Sequence, residues 1–534
     1  MSYHQPGRTC RTLTLAFAII GLLQAGVAFG ADPATFTLAI QNFQHDTLDP
    51  ALGEVNDLIY LSPLYDPLVG TAPTGDLTPA RGLASSWKTS PDAKKWTFTL
   101  RRNVKWHDGK PFTADDVVFS FNERYRGTNR SCTFCGIVEK QIADVRALDS
   151  HTVEFTLREP SITFLEVLNL RDGDLVVVPR HNYVKKPDGS FELKGNPIGT
   201  GPFKFEGFQR GISISYVASK DYWDRSRVPS YSRLVVLKRP EASTRMAMIQ
   251  AGEADMVAIE AGQARDAKQK GLRLMTSDGA SITALWFSWS YNPKFLCHNQ
   301  WFREAVALAI DREAIVNRLL PEGTATTVAS SIWTPPALGF DPALKPYPYD
   351  PKRAQQLLKE NAYDGRPVIL WSAPLAASPE TPEIMQLIQG YLESVGFKID
   401  LRPIEWAQFA PMFRRLPQKL PTDVACNIYV NVPYPRPLVM ENIANSWISL
   451  EAGGRHGGYW DSQYIDAKFK ELQQITNLDK LKEELLKLNR KSYGEYSFYP
   501  IAARAATFVV GPRVKDWQPG KYGNAWHLET VKVQ

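Results

Sequence analysis

Apolar and polar residues alternate at 35–41, TFTLAIQ, and the two-residue period predicts a half-buried strand. The same period recurs in WTFTLR at 96–101 and HTVEFTL at 151–157, and short strands are expected at 203–205 and 232–238. Helical spacing marks other stretches. EVNDLIYLSPLYDPLV, from Glu54, reads as helix-like. Thr113 followed by Ala114, Asp115 and Asp116 has the form of an N-cap with acids in the first turn, and Val117, Val118, Phe121 and Tyr125 supply the apolar stripe. A helix at 242–250 should stop at Gly252. Phe302, Val306 and Ile310 share one face of a helix at 300–310, and Asp311 caps a second one carrying Ile315 and Leu319. Helix is expected at 382–395, strand at 397–401, and one long helix from about Tyr464 to Tyr493. Residues 332–351 hold too many prolines for helix or central strand and read as a connector. No repeat is evident. Mixed α/β layers in more than one domain are the expected architecture.

Length agrees with that division, since 534 residues suit two or three domains. A basic n-region with Arg8 and Arg11, an apolar run at 13–23 and small residues Ala28 and Gly30 form a secretory signal with cleavage expected before Ala31. The run is short for a membrane span. Cys10 precedes it, whereas a lipid-bearing cysteine would stand at the cleavage site. A free soluble exported protein is therefore expected. Loss of 1–30 removes two arginines and no acid, which lowers the net charge from +6 to +4. Basic and acidic residues are interleaved, so nothing suggests a nucleic-acid partner.

Export makes pairing the default for Cys132, Cys135, Cys297 and Cys426. Cys132 and Cys135 form a C-x-x-C without the βαβ setting of a redox site, and no second such pair completes a zinc site, so a local disulfide is expected. Cys297 and Cys426 are candidates for a bridge between distant segments. Catalytic signatures are missing: there is no G-x-S-x-G, no H-E-x-x-H and no P-loop. His107, His151, His181, His298 and His456 are isolated, and Asp115 with Asp116 suits helix capping better than acid–base work. No cofactor, metal or catalytic residue is expected.

SSWKTSPDAKKWTFTLRRNVKWHDGKPFTADDVVFSF at 85–121 resembles the signature segment of the bacterial extracellular solute-binding proteins of family 5, which serve dipeptide, oligopeptide and nickel importers. GTGPFKF at 199–205, RMAMIQAGEADMV at 245–257 and FREAVALAIDREAIV at 302–316 agree in sequence and order. The resemblance implies a two-lobed α/β periplasmic-binding-protein fold (type II) with an extra subdomain in the first lobe. Lobe I would hold 32–285 and 500–534, with the subdomain at about 75–195, and lobe II would hold 286–499. A monomer would close about a hinge on a peptide or peptide-like solute and deliver it to ABC importer permeases and their ATPases. A ligand that touches both lobes favours the closed form by its differential affinity.

The same resemblance marks Glu54 as a contact to ligand backbone, and Trp406 and Tyr429 as pocket aromatics. Trp289, with Trp286 three residues before it, is a further ligand-binding candidate near the expected hinge, where the spacing lets one of the two face the cleft and the other the core. Peptide-binding members carry an aspartate after the second aromatic, where it pairs with the ligand's α-amino group. Here YVNVPYPRP at 429–437 has no acid, and Val432 falls near its place. A buried ammonium without a counter-charge is costly. Arg436 would suit a carboxylate or phosphate, and Asn431 with Tyr434 an uncharged polar solute. The alternative ligands are therefore an opine, an oligosaccharide or an acidic or phosphorylated solute. An exported hydrolase is the competing class, and a receptor serving a membrane sensor is a third.

Overall fold

The computed structural model describes residues 34–534 apart from 172, 260, 321–322, 336, 374–379, 406–407, 410–422, 432–437, 455–458, 518 and 520–525, and gives backbone alone at 261, 278–280 and 431. Its largest feature is a single long sheet. We number its principal strands β1 Thr35–Ile40, β2 Phe203–Gln209, β3 Ser213–Ala218, β4 Arg233–Lys238, β5 Met256–Ile259, β6 Arg273–Ser288, β7 Val368–Ser372, β8 Ile399–Pro403, β9 Cys426–Asn431 and β10 Tyr499–Val510. They lie in the order β2-β3-β4-β1-β5-β10-β6-β9-β7-β8, and the short strand Ala325–Thr326 adds to β10.

Two strands carry the chain from one end of this sheet to the other. β6 pairs antiparallel with β10 from Arg273 opposite Val510 to Leu285 opposite Tyr499; the main slip in register falls between Ser277 and Ser281, and a one-residue shift follows between Thr283 and Ala284. On one side of the slip, Met275, Phe508 and Val510 pack with Phe36, Leu38, Leu234 and Met256. On the other, Ile282, Leu285, Ile501 and Ala502 belong to a separate core with Phe302, Ile369, Ile388 and Ile428. A third core is built on the four-stranded antiparallel sheet Ala84–Thr89, Lys95–Leu100, Thr152–Leu157 and Ile142–Asp149, where Trp96, Phe98, Phe121 and Phe155 meet.

Several helix ends follow from their capping residues. Thr113 and Asp116 form a capping box at the start of Ala114–Val118, and the coil then widens into a π-helical stretch, Phe119–Glu123. Asp311 accepts a bond from the Ala314 N–H at 2.9 Å. Gly252, at φ 72°, ends Ala242–Ala251 in the left-handed conformation that favours glycine.

Two expectations need correction. The stretch from Glu54 forms only a 3-10 turn, Val55–Asp57, and one α-turn, Leu58–Leu61. Pro63 follows, and the Pro63 and Leu64 carbonyls instead accept the N–H groups of Phe203 at 3.0 Å and Gly201 at 2.9 Å. Tertiary bonding has outcompeted helix there. The long helix is also two, Ser462–Gln473 and Leu478–Gly494, because the Asn477 side chain accepts from the Lys480 N–H and starts a second helix.

Candidate functional site

The sheet's register locates a cleft. β1, β4 and β5 are parallel, and β5 and β6 are both antiparallel to β10, so these four strands run one way, from the first core toward the second. β7, β8 and β9 are parallel to one another, and β9 is antiparallel to β6, so this trio runs back. The carboxyl ends of the two parallel sets therefore face each other across the slip in β6. Ligands of open α/β sheets bind outside the carboxyl ends of strands.

The first rim follows β1. Asp57, fully buried, accepts the N–H groups of His45 at 3.2 Å and Glu54 at 2.8 Å and the Tyr60 hydroxyl. His45 Nδ1 lies 2.7 Å from the same carboxylate. A carboxylate only accepts, so Nδ1 carries the proton and Nε2 turns toward Glu54 Oε1, 3.8 Å away. Burial, and then Asp57, push the Tyr60 phenol far above its ordinary pKa. Glu54 keeps 38% of its side chain exposed, and its Oε2 accepts from Gln44 Nε2 at 3.0 Å. The loop is held from behind by the turn that the Cys132–Cys135 disulfide closes. The Ser131 N–H donates to the Ala51 carbonyl at 2.8 Å, and Thr133 Oγ1 accepts from the Val55 N–H at 3.2 Å.

The second rim carries an aromatic row. Arg402 pairs across strands with Trp371, Trp371 with Tyr429, and Tyr429 with Trp286, so all four share one face of β8, β7, β9 and β6. The Arg402 guanidinium lies 5.6 Å from the Trp371 ring centroid, and the Trp286 and Tyr429 rings are 6.2 Å apart. Phe498 and then Trp447 extend the row at centroid spacings of 5.0 and 4.9 Å. The rings are buried, so this row is a rigid floor beneath the strand ends. At the slip itself Arg504, opposite Ser281, donates through Nη2 to both Glu380 oxygens at 2.8 and 2.9 Å.

The sequence-derived candidates separate into groups. Glu54 stands on the first rim and Tyr429 in the floor of the second. Trp406, Tyr434 and Arg436 lie outside the described residues, as does the side chain of Asn431, whose backbone ends β9 opposite Ala284. Trp289 sits elsewhere. It follows Ser288, which pairs with Asn427 at the amino end of β9, so it lies at the far end of the second core. There it is buried at φ 58°, uncommon for so bulky a residue, with Nε1 lacking a protein partner. Cys297 and Cys426 are disulfide-bonded at that same end, fastening β9 to the turn before the helix Gln300–Ala309. His45, Trp371, Arg402 and the Arg504–Glu380 pair had no sequence signal. Each is defined by register or by a partner far along the chain. Among the described residues no group of three or more His, Cys, Asp or Glu stands close enough to hold a metal, and no helix is long and apolar enough to cross a membrane.

Comparison with known proteins agrees with this geometry. The family model for bacterial extracellular solute-binding proteins, family 5, middle region, matches residues 78–422. The dipeptide-binding protein of Escherichia coli K12 is 31% identical over 369 residues, covering 65% of this chain and 67% of its own. Heme-binding protein A of Haemophilus influenzae is 28% identical over 482 residues, covering 84% and 83%. The structure of HbpA2 from Haemophilus parasuis superposes with a TM-score of 0.78 at 23% identity, covering 94% of this chain and all of that one, and shows the fold. The chain belongs to family 5 of the bacterial extracellular solute-binding proteins, and its fold is the two-lobed one of that family.

Proposed function

We propose that the protein is exported with loss of residues 1–30, captures a small peptide or peptide-like solute between its lobes in the periplasm, and hands it unchanged to an ABC importer. The observation that carries this reading is the facing of two sets of strand ends across the slip at Ser277–Ser281 in the β6–β10 pair. That arrangement lets a ligand bridge two separately packed cores, and bridging is what converts binding into closure. The division would fall where β6 and β10 change cores, between Met275 and Ile282 and between Ala503 and Ala506. Lobe I then holds the segments before and after these points, with the subdomain at about 75–195 inserted in it.

The peptide class draws support from relatives named for dipeptides, di/tripeptides and glutathione. With no acid at 429–437, the exposed Glu54 carboxylate on the first rim is the group that would meet a ligand's ammonium, with His45 and Gln44 fixing its position. An opine, an oligosaccharide or an acidic or phosphorylated solute are the competing ligands, joined by haem from the relative named for it, and no step of covalent chemistry is assigned. The test is a thermal-shift screen of the mature protein against a di- and tripeptide library, with haem and nickel chelates alongside. A ligand that binds only the folded state must raise the melting temperature. Stabilisation by a free-amine peptide, weakened by Glu54→Gln, supports the proposal. Stabilisation by haem or a metal chelate and by no peptide overturns it.

A further inference from the structure

The two lobes meet at a second place, away from the rims. Leu438 directly precedes the helix Val439–Ser446, whose Val439 and Ile443 pack in the second lobe's core. Leu438 itself is buried in the core of the subdomain. Ile162, from the subdomain side, packs against both cores. One turn into the Val439 helix, Glu441 Oε1 accepts a hydrogen bond from Gln141 Nε2 at 2.6 Å, between residues 300 apart in sequence.

Gln141 ends the helix Cys135–Gln141, whose other end is fixed by the Cys132–Cys135 disulfide to the turn that holds the Glu54 loop. The interlobe contact and the first rim thus share one short rigid element. The contact is incompletely satisfied. Gln141 Oε1 is buried with no hydrogen-bond partner. An ionised Glu441 accepts from Gln141 Nε2 and has nothing to give Oε1, whereas a protonated Glu441 carries the missing donor.

We propose that Gln141 and Glu441 form a proton-linked latch that favours closure of the lobes in acid. Burial pushes the Glu441 carboxyl above its ordinary range, against the hydrogen bond from Gln141 and the charge of Lys140, which lower it. Lys140 belongs to the same helix as Gln141. Within its own helix Glu441 engages Asn445 only through its backbone carbonyl. In an open form the carboxyl returns to water and to the ordinary carboxylate value. Closure therefore takes up a proton at pH values between the ordinary and the raised pKa. The stabilisation is complete below the ordinary value and is lost as pH rises through the raised one.

The proposal rests on the two-lobed fold and is independent of the ligand class, so it is tested without ligand. Small-angle scattering of the mature, ligand-free protein is compared at about pH 5 and about pH 7.5. The wild type is expected to have the smaller radius of gyration at the lower pH. Glu441→Gln supplies a permanent donor and should hold the compact value at both pH values. Gln141→Ala should keep the expanded value at both. Far-ultraviolet circular dichroism establishes that each variant is folded. A wild-type radius that does not change with pH, or a Glu441→Gln protein that changes as the wild type does, overturns the proposal.

Discussion

His107 Nε2 lies 3.0 Å from the carbonyl oxygen of Gly201, while His107 Nδ1 accepts the N–H of Gly199 at 3.2 Å. The ring joins the WHDG and GTGP motifs, which stand far apart in sequence. Both nitrogens are satisfied only when the imidazole is neutral with its proton on Nε2.

Acid should therefore weaken the fold through this residue. Burial lowers the His107 pKa from 6.5 to about 4. Its contribution is complete above the unfolded value and is lost as pH falls toward the folded one. The loss at the acid end is on the order of 3 kcal/mol. Urea unfolding between these pH values should show a shallower pH slope in His107→Gln than in the wild type. Equal slopes would remove His107 from this role.

Gly199 is required by a close backbone approach. A Cβ there would sit 1.7 Å from the Leu64 carbonyl oxygen. Gly199→Ala should cost more than about 3 kcal/mol or abolish folding. Gly136 lies within a helix and a Cβ there would meet nothing within 4 Å. Gly136→Ala should stabilise by roughly 0.5–1 kcal/mol. Denaturant midpoints of the two variants decide both points.

The disulfides should differ in weight. Cys297 and Cys426 are 129 residues apart, and closing a loop of that length contributes about 5 kcal/mol by chain entropy. For Cys132 and Cys135, separated by 3, the corresponding figure is about 2 kcal/mol. Paired Cys→Ser variants unfolded in urea should keep this order, and the reverse order would show that native-state effects dominate.

Arg227 binds Glu529 through Nε at 2.9 Å, both side chains being buried, and this pair fastens the C-terminal segment to the 3-10 turn Arg225–Arg227. Burial alone would raise the Glu529 pKa, but Arg227 and His527 hold it well below the ordinary range. Glu529→Ala leaves the guanidinium without its carboxylate and should cost about 3–5 kcal/mol. A loss under about 1 kcal/mol would mean that water reaches Arg227.

How far the sequence reached depended on the kind of signal. β1, the Thr113 cap and the Gly252 stop were legible because alternation, capping and the left-handed turn are local rules. The single turn at Leu58 was hidden, since the carbonyls that would have extended it are taken by Gly201 and Phe203, far along the chain. In β7 every residue is buried. A parallel strand covered on both faces shows no period, so nothing pointed to Trp371 as part of the floor. The three-residue spacing of Trp286 and Trp289 predicts that they face different ways but not which faces the cleft, and the register with β9 places Trp286 beside Tyr429 and Trp289 at the remote end. The family motifs carried the fold further than they carried the site, because they describe how each lobe is packed, whereas ligand recognition depends on what reaches the junction from both lobes.

Native mass spectrometry of the purified mature protein, followed by denaturation and identification of what is released, tests the central claim most directly. Capture between two lobes predicts a stoichiometric, non-covalent small molecule that leaves intact, or an empty protein that acquires one such adduct from the peptide library and releases it unchanged. A cleaved product, or an empty protein that takes up no solute at all, would contradict it.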